Sequence, residues 1–237
     1  MIRTAISLLN FRQASFWMIA SVYFVLAASA HTVEVTSTNN TLGENTYLLE
    51  NGVDTATYAG EGNILLDGTI NRTAFCVAIF VDINIGVLYN TVLTDISSIT
   101  NGGRVGWLLD NILPSIITSS PTYGSTAQQG AGLQMAIWDI VNDNGDGFSA
   151  GGVQSSINTD PIAVRAARYY ESLSVGQSAD AWVYMNFSQA NNAPAQTLMG
   201  FVNLSDGGPV VPEPGTFGLV LPGFVLVAGG LLRSFKN

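Results

Sequence analysis

The chain has 237 residues, a formal net charge of −9 and a sequence pI near 4.3, and its only lysine is Lys236. This acidity argues against nucleic acid or anionic lipid as a partner, because both require a positive face to neutralise phosphates. One cysteine, Cys76, and one histidine, His31, exclude an intramolecular disulfide and a CxxC site, and they disfavour HExxH zinc chemistry and His-based triads, hence most familiar hydrolase designs.

The N-terminal residues carry Arg3 and Arg12, an apolar run over 16–27, and then Ala28-Ser29-Ala30. That order predicts a signal peptide over residues 1–30, cleaved between Ala30 and His31. The alternative is an uncleaved membrane anchor, but the apolar run is short for a span and ends in small residues at the cleavage positions.

Residues 31–204 are long enough for one domain with its own core. Their side-chain cations are Arg72, Arg104, Arg165 and Arg168. Residues 33–36, 47–49 and 63–66 read as short strands between Gly and Asn turn signals, and 73–83 reads as a longer buried strand carrying Cys76. A short helix is predicted around residues 105–113, ended by Pro114. A second starts at Ser125 as N-cap and places Leu133, Ile137, Ile140 and Val141 on one stripe. A third has Asp160 as N-cap and Pro161 at its first position and runs to about Leu173. Residues 181–187 and 197–203 return to strands, and 205–210 form a linker. The predicted fold class is α+β, a mostly antiparallel β framework with an inserted helical layer.

After the linker, Pro212-Glu213-Pro214 precedes an apolar stretch over 215–232 and then Arg233 and Lys236. The stretch is about the length of a transmembrane helix, and the cations act as a membrane stop that stays cytoplasmic. Over residues 211–237 this resembles the PEP-CTERM sorting signal of exosortase substrates. The resemblance implies an exosortase-like sorting protease as partner, transient membrane anchoring, and a final place at the outer surface or in an exopolysaccharide matrix. A plain single-pass anchor is the alternative.

Inside the domain, Phe75-Cys76 and the run Gln134-x-Ala136-Ile137-Trp138 resemble the thioester domains of bacterial surface adhesins, although Leu133 stands where that family usually has Thr or Gln. The resemblance implies an internal bond between Cys76 and Gln134, shielded from water by Phe75, Ile137 and Trp138, that captures a surface amine or hydroxyl. The residue types suit the chemistry, since a thiolate can displace ammonia from a carboxamide. The alternative is a buried structural cysteine beside an ordinary helical glutamine.

The loop after the second helix places Asn142, Asn144 and Asp146 at the first, third and fifth positions of an EF-hand-like loop, but Val153 occupies the twelfth, where a bidentate Glu belongs. A turn is therefore expected, with weak calcium binding as the lesser reading; no other cofactor is implied. Two other functions compete with the adhesin. One is a noncovalent matrix or polysaccharide-binding domain using Trp107, Tyr123, Tyr169, Tyr170 or Trp182; the other, disfavoured, is a hydrolase using Asp139, Asp143 and Asp146.

Overall fold

A computed structural model of the chain describes residues 31–200. The signal peptide over 1–30, the linker over 205–210, the span over 215–232 and the residues Pro212, Glu213, Pro214, Arg233 and Lys236 lie outside the described residues. Among the described residues no helix is long and apolar enough to cross a membrane.

Among the described residues seven strands alternate with the helical segment: β1 (His31–Glu50), β2 (Val53–Leu66), β3 (Ile70–Cys76), β4 (Leu88–Thr94), β5 (Gln154–Ser155), β6 (Trp182–Ser188) and β7 (Leu198–Gly200). All their pairings are antiparallel. The order β2-β3-β7-β6-β4-β1 returns to β2 through the β1–β2 pairing, so these strands close into a ring, with β5 added outside on β1. Closure gives most strands a partner on both sides and removes the exposed edges that an open sheet must protect.

The hairpin β1–β2 turns at Asn51-Gly52, both with positive φ (52° and 80°). That is the conformation a two-residue hairpin turn of matching twist requires. Register shifts between Val35 and Ser37 and between Thr38 and Gly43 bend the hairpin, as inserted bulge residues do. The two halves of β1 consequently serve different cores. Val33 and Val35 pack inside the ring with Ile64, Leu66, Ala74, Tyr184 and Leu198. Leu48 joins the larger core between sheet and helices.

Among the described residues three α-helices form the second layer: α1 (Gly102–Asn111), α2 (Thr126–Asp143) and α3 (Pro161–Ser174). Ser125 caps α2 in a full capping box with Gln128, and the Asp160 side chain accepts from the Ile162 N–H at the start of α3, so these two helices begin where a side chain satisfies free N–H groups. Every residue of α2 from Gln129 to Ile140 is buried, which makes it the axis of the domain. It approaches α3 at Gly132, where a Cβ would stand 2.7 Å from that of Ala166. Only glycine opposite alanines permits this spacing.

Several sequence expectations change. The segments at 33–36 and 47–49 belong to one bent strand, β1. The strand expected over 73–83 ends at Cys76; past it the chain leaves the sheet and turns at Phe80, which has φ 57°. The last strand was expected over 197–203 and is described only to Gly200. The strands β4 and β5 were not anticipated, although Leu88–Thr94 alternates exposed and more buried positions over much of its length.

Candidate functional site at the end of β3

Side chains alternate along β3. Ala74 packs with the ring interior, Phe75 and Val77 pack against the helices, and Cys76 touches both cores from the strand end. Toward β7, Cys76 pairs with Leu198, and the Val77 N–H donates to the Thr197 carbonyl at 2.9 Å. Bonds to β7 thus leave from Val77, and the N–H and C=O of Cys76 face the opposite edge. On that edge the β2 pairing has already stopped, its last match being Gly62 with Ala74.

Gln134 fills the vacated place. It projects from the middle of α2, is fully buried, and sits with its carboxamide against the Cys76 peptide. The Cys76 N–H donates to Gln134 Oε1 at 2.9 Å, and Gln134 Nε2 donates to the Cys76 carbonyl at 2.7 Å. The side chain behaves as a single residue of a missing strand. It satisfies two main-chain groups that burial would otherwise penalise. Residues 58 positions apart are joined this way by the packing of α2 against the sheet.

The thiol lines a groove of about 320 Å3 at the mouth of the ring, with Tyr58, Phe80, Ile83, Trp138 and Gln196 among its walls. Burial pushes the Cys76 thiol up to about 11, and the neighbouring Gln196 amide draws it partly back. At neutral pH the group is a thiol, and little thiolate is present. Gln196 Nε2 donates to the Ala78 carbonyl at 2.7 Å, while its Oε1 and the Trp138 Nε1 are buried without a protein partner. Gln196 was not anticipated. It lies in an unremarkable Ala-Gln-Thr run, and only its register two residues before Leu198 brings it to the cysteine's face.

The expected shield divides. Trp138 lines the thiol groove, but Phe75 points to the helix side of β3 and Ile137 lies in the same helix-side core. Those two belong to the core between sheet and helices. The groove itself is walled chiefly by residues that the motif did not single out.

The aromatic residues considered as a sugar platform are mostly packed. Tyr170 is buried, Trp107 and Tyr123 lean on the helical core, and Trp182 leans on the ring interior. Tyr169 is exposed and stacks on Tyr123 with ring centroids 4.7 Å apart.

In the loop compared with an EF-hand, the asparagine side chains make bonds within the protein. Asn144 Oδ1 accepts from Asn101 Nδ2 at 2.7 Å, and Asn142 Nδ2 donates to the Trp138 carbonyl at 2.7 Å. The two asparagines therefore hold helix ends. The acidic side chains that converge are Asp139, Asp143 and Asp146. Behind them Glu171 of α3 is driven to about 9, first by burial and then by the adjacent Asp139 charge, with Arg104 and Arg168 pulling the other way. Burial likewise raises Asp139.

No protein-family model matches the chain, and no curated protein sequence matches it.

Proposed function

We propose that this chain is an exported cell-envelope protein whose domain carries an internal thioester between Cys76 and Gln134, displayed to capture an amine or hydroxyl at the outer surface or in an exopolysaccharide matrix. The observation that carries the reading is the two-point docking of the Gln134 carboxamide on the Cys76 peptide. The sulfur belongs to the same residue whose main chain holds the amide, so nucleophile and acyl group share one anchor.

The docking suits each step of bond formation. As the Cys76 sulfur attacks Gln134 Cδ, negative charge develops on Oε1, which already faces the Cys76 N–H at 2.9 Å. A preorganised donor at that oxygen stabilises the tetrahedral intermediate. Nε2 is the leaving group and lies 2.7 Å from the Cys76 carbonyl. The S–C bond forms, the C–N bond breaks, and the thiol proton departs with nitrogen as ammonia. An incoming amine or hydroxyl then takes the acyl group and returns the thiol. Each chain reacts once, so the process is an acyl transfer without turnover. The absence of lysine from residues 31–200 removes internal ε-amines that would open the bond prematurely.

Delivery rests on the sequence of the termini: a signal peptide over 1–30 and an exosortase-type tail over 211–237, processed by a sorting protease that leaves the domain outside.

A second reading has its own observation. Both ends of the Gln134 amide are satisfied and the Cys76 thiol is poorly ionised, which suits a permanent plug for the β3 edge in a noncovalent matrix or polysaccharide-binding domain. Methylamine separates the two. A thioester incorporates one methylamine at Gln134 and frees Cys76, whereas a plug incorporates none.

A further inference from the structure

We infer that Gln196 serves acyl capture on both sides of the reacting bond, its Nε2–H facing the sulfur that leaves and its Oε1 accepting from the amine or hydroxyl that arrives. The inference rests on the thioester reading and assigns that site a residue outside the two motifs that marked it.

The register brings Gln196 there. Leu198 stands opposite Cys76 in the β3–β7 pairing, and residues two apart on an extended strand share a face. Gln196 is therefore the diagonal neighbour of Cys76, a separation that a long side chain spans. Both residues line the same groove. Gln196 Nε2 donates to the Ala78 carbonyl at 2.7 Å, which fixes the orientation of the amide, because a carbonyl accepts only from its NH2 end. One of the two Nε2 hydrogens is spent on that bond, and the other is free for the sulfur. Burial pushes the Cys76 thiol up, and a hydrogen bond from Gln196 draws it back.

A second observation points to a ligand. Gln196 Oε1 and Trp138 Nε1 are buried without a protein partner, each on a side chain 2% exposed and each lining the groove. Trp138 lies four residues past Gln134, one turn along the same face of α2. Among walls such as Val35, Ile64, Phe80 and Leu198, orphaned polar atoms are costly. A molecule that brings an N–H or O–H into the groove gives Gln196 Oε1 its donor. The other titratable side chains on the groove are Tyr58 and Asp82. Tyr58 donates to the Asn39 carbonyl at 2.8 Å and Asp82 is exposed, so neither holds the sulfur.

In capture, the lone pair of the nucleophile forms the new C–N or C–O bond at Gln134 Cδ. The C–S bond breaks with its electron pair on sulfur, and the proton shed by the nucleophile ends there as the thiol. Gln196 Nε2–H meets the charge growing on sulfur, while Oε1 holds the N–H or O–H in line with Cδ.

The test follows methylamine uptake by intact mass in the full chain, wild type and Gln196→Met, with rates taken relative to the fraction that lacks one ammonia. The pH midpoint of iodoacetamide alkylation is then measured on the freed Cys76. The expected result is uptake slower by about ten- to hundredfold, the worth of one hydrogen bond to a charged group, and a midpoint above that of the wild type. Loosened packing alone would do the reverse, admitting water and lowering the midpoint. Gln196→Glu, which keeps an acceptor and loses the donor, should raise the midpoint as well, and is read in place of Gln196→Met if circular dichroism shows the latter unfolded. Folded variants that take up methylamine at the wild-type rate, or whose midpoint stays level or falls, would overturn the inference. A wild type that takes up none would end the thioester reading and this inference with it, an outcome told apart because it needs no variant.

Discussion

Gln134 meets the Cys76 peptide through both ends of its carboxamide, accepting from the N–H at 2.9 Å and donating to the carbonyl at 2.7 Å. A helix side chain thus completes a sheet edge where β2 has withdrawn. The same contact can serve as scaffold and as reactant, and stability and chemistry measurements address those roles separately.

Removing the carboxamide exposes its structural role. Gln134→Ala leaves the Cys76 N–H and C=O unpaired in a dry setting, at a cost of about 1–3 kcal/mol for each buried group left unsatisfied. Urea unfolding of the two proteins should show a fall of a few kcal/mol. A change within error would mean that the edge finds other partners.

The contact of α2 with α3 depends on Gly132. Gly132→Val drives a branched side chain into Ala166 and the Ala163 carbonyl, which stand 2.7 and 2.8 Å from the position of a Cβ. Overpacking of this kind costs about 1–3 kcal/mol, to be read as a lower denaturation midpoint. Substitution at the exposed Ile157 should leave that midpoint in place.

The start of α2 depends on the Ser125 hydroxyl, which accepts from the Gln128 N–H. Ser125→Ala should destabilise the fold by about 1 kcal/mol, whereas Ser125→Asp, which keeps the acceptor, should not. Thermal melts of the pair separate loss of the cap from a general effect of substitution.

Once methylamine has freed Cys76, its alkylation by iodoacetamide should follow the raised thiol. The neutral form persists through pH 8, and reactivity climbs as pH rises toward about 11, since the thiolate is the nucleophile. The same shift makes alkaline pH unfavourable to folding. The unfolded thiol ionises from about 8.5 upward while the folded one stays protonated, so this contribution is whole below that pH and lost as pH climbs toward 11. An alkylation midpoint near that of a free cysteine would place the sulfur in water.

Local chemistry was the legible part of the sequence. Ser125, and Asp160 with Pro161, announce helix starts because a cap and its helix are neighbours in the chain. Asn51-Gly52 likewise announces a turn. The end of β3 was hidden because residues 77–83 remain apolar after leaving the sheet, and apolarity marks burial rather than strand pairing. The two halves of β1 looked like separate strands because the register shifts after Val35 and Thr38 interrupt the alternation. For the site, Cys76 and Gln134 stood out by motif, yet their contact is a property of how α2 crosses the sheet. Gln196 and Glu171 carried no signal at all, since each matters only through a neighbour on another element. Asn142 and Asn144 were read as metal-loop residues from spacing alone, and the bonds they make to Trp138 and Asn101 depend on neighbours that the spacing does not show.

Intact mass of the freshly purified protein, compared with Cys76→Ala sharing the same termini, tests the central claim most directly. Wild type should fall short of its composition by one ammonia while Cys76→Ala shows its full mass. A wild-type chain of full mass, taking up no methylamine, would contradict the thioester and leave Gln134 as the plug of the β3 edge.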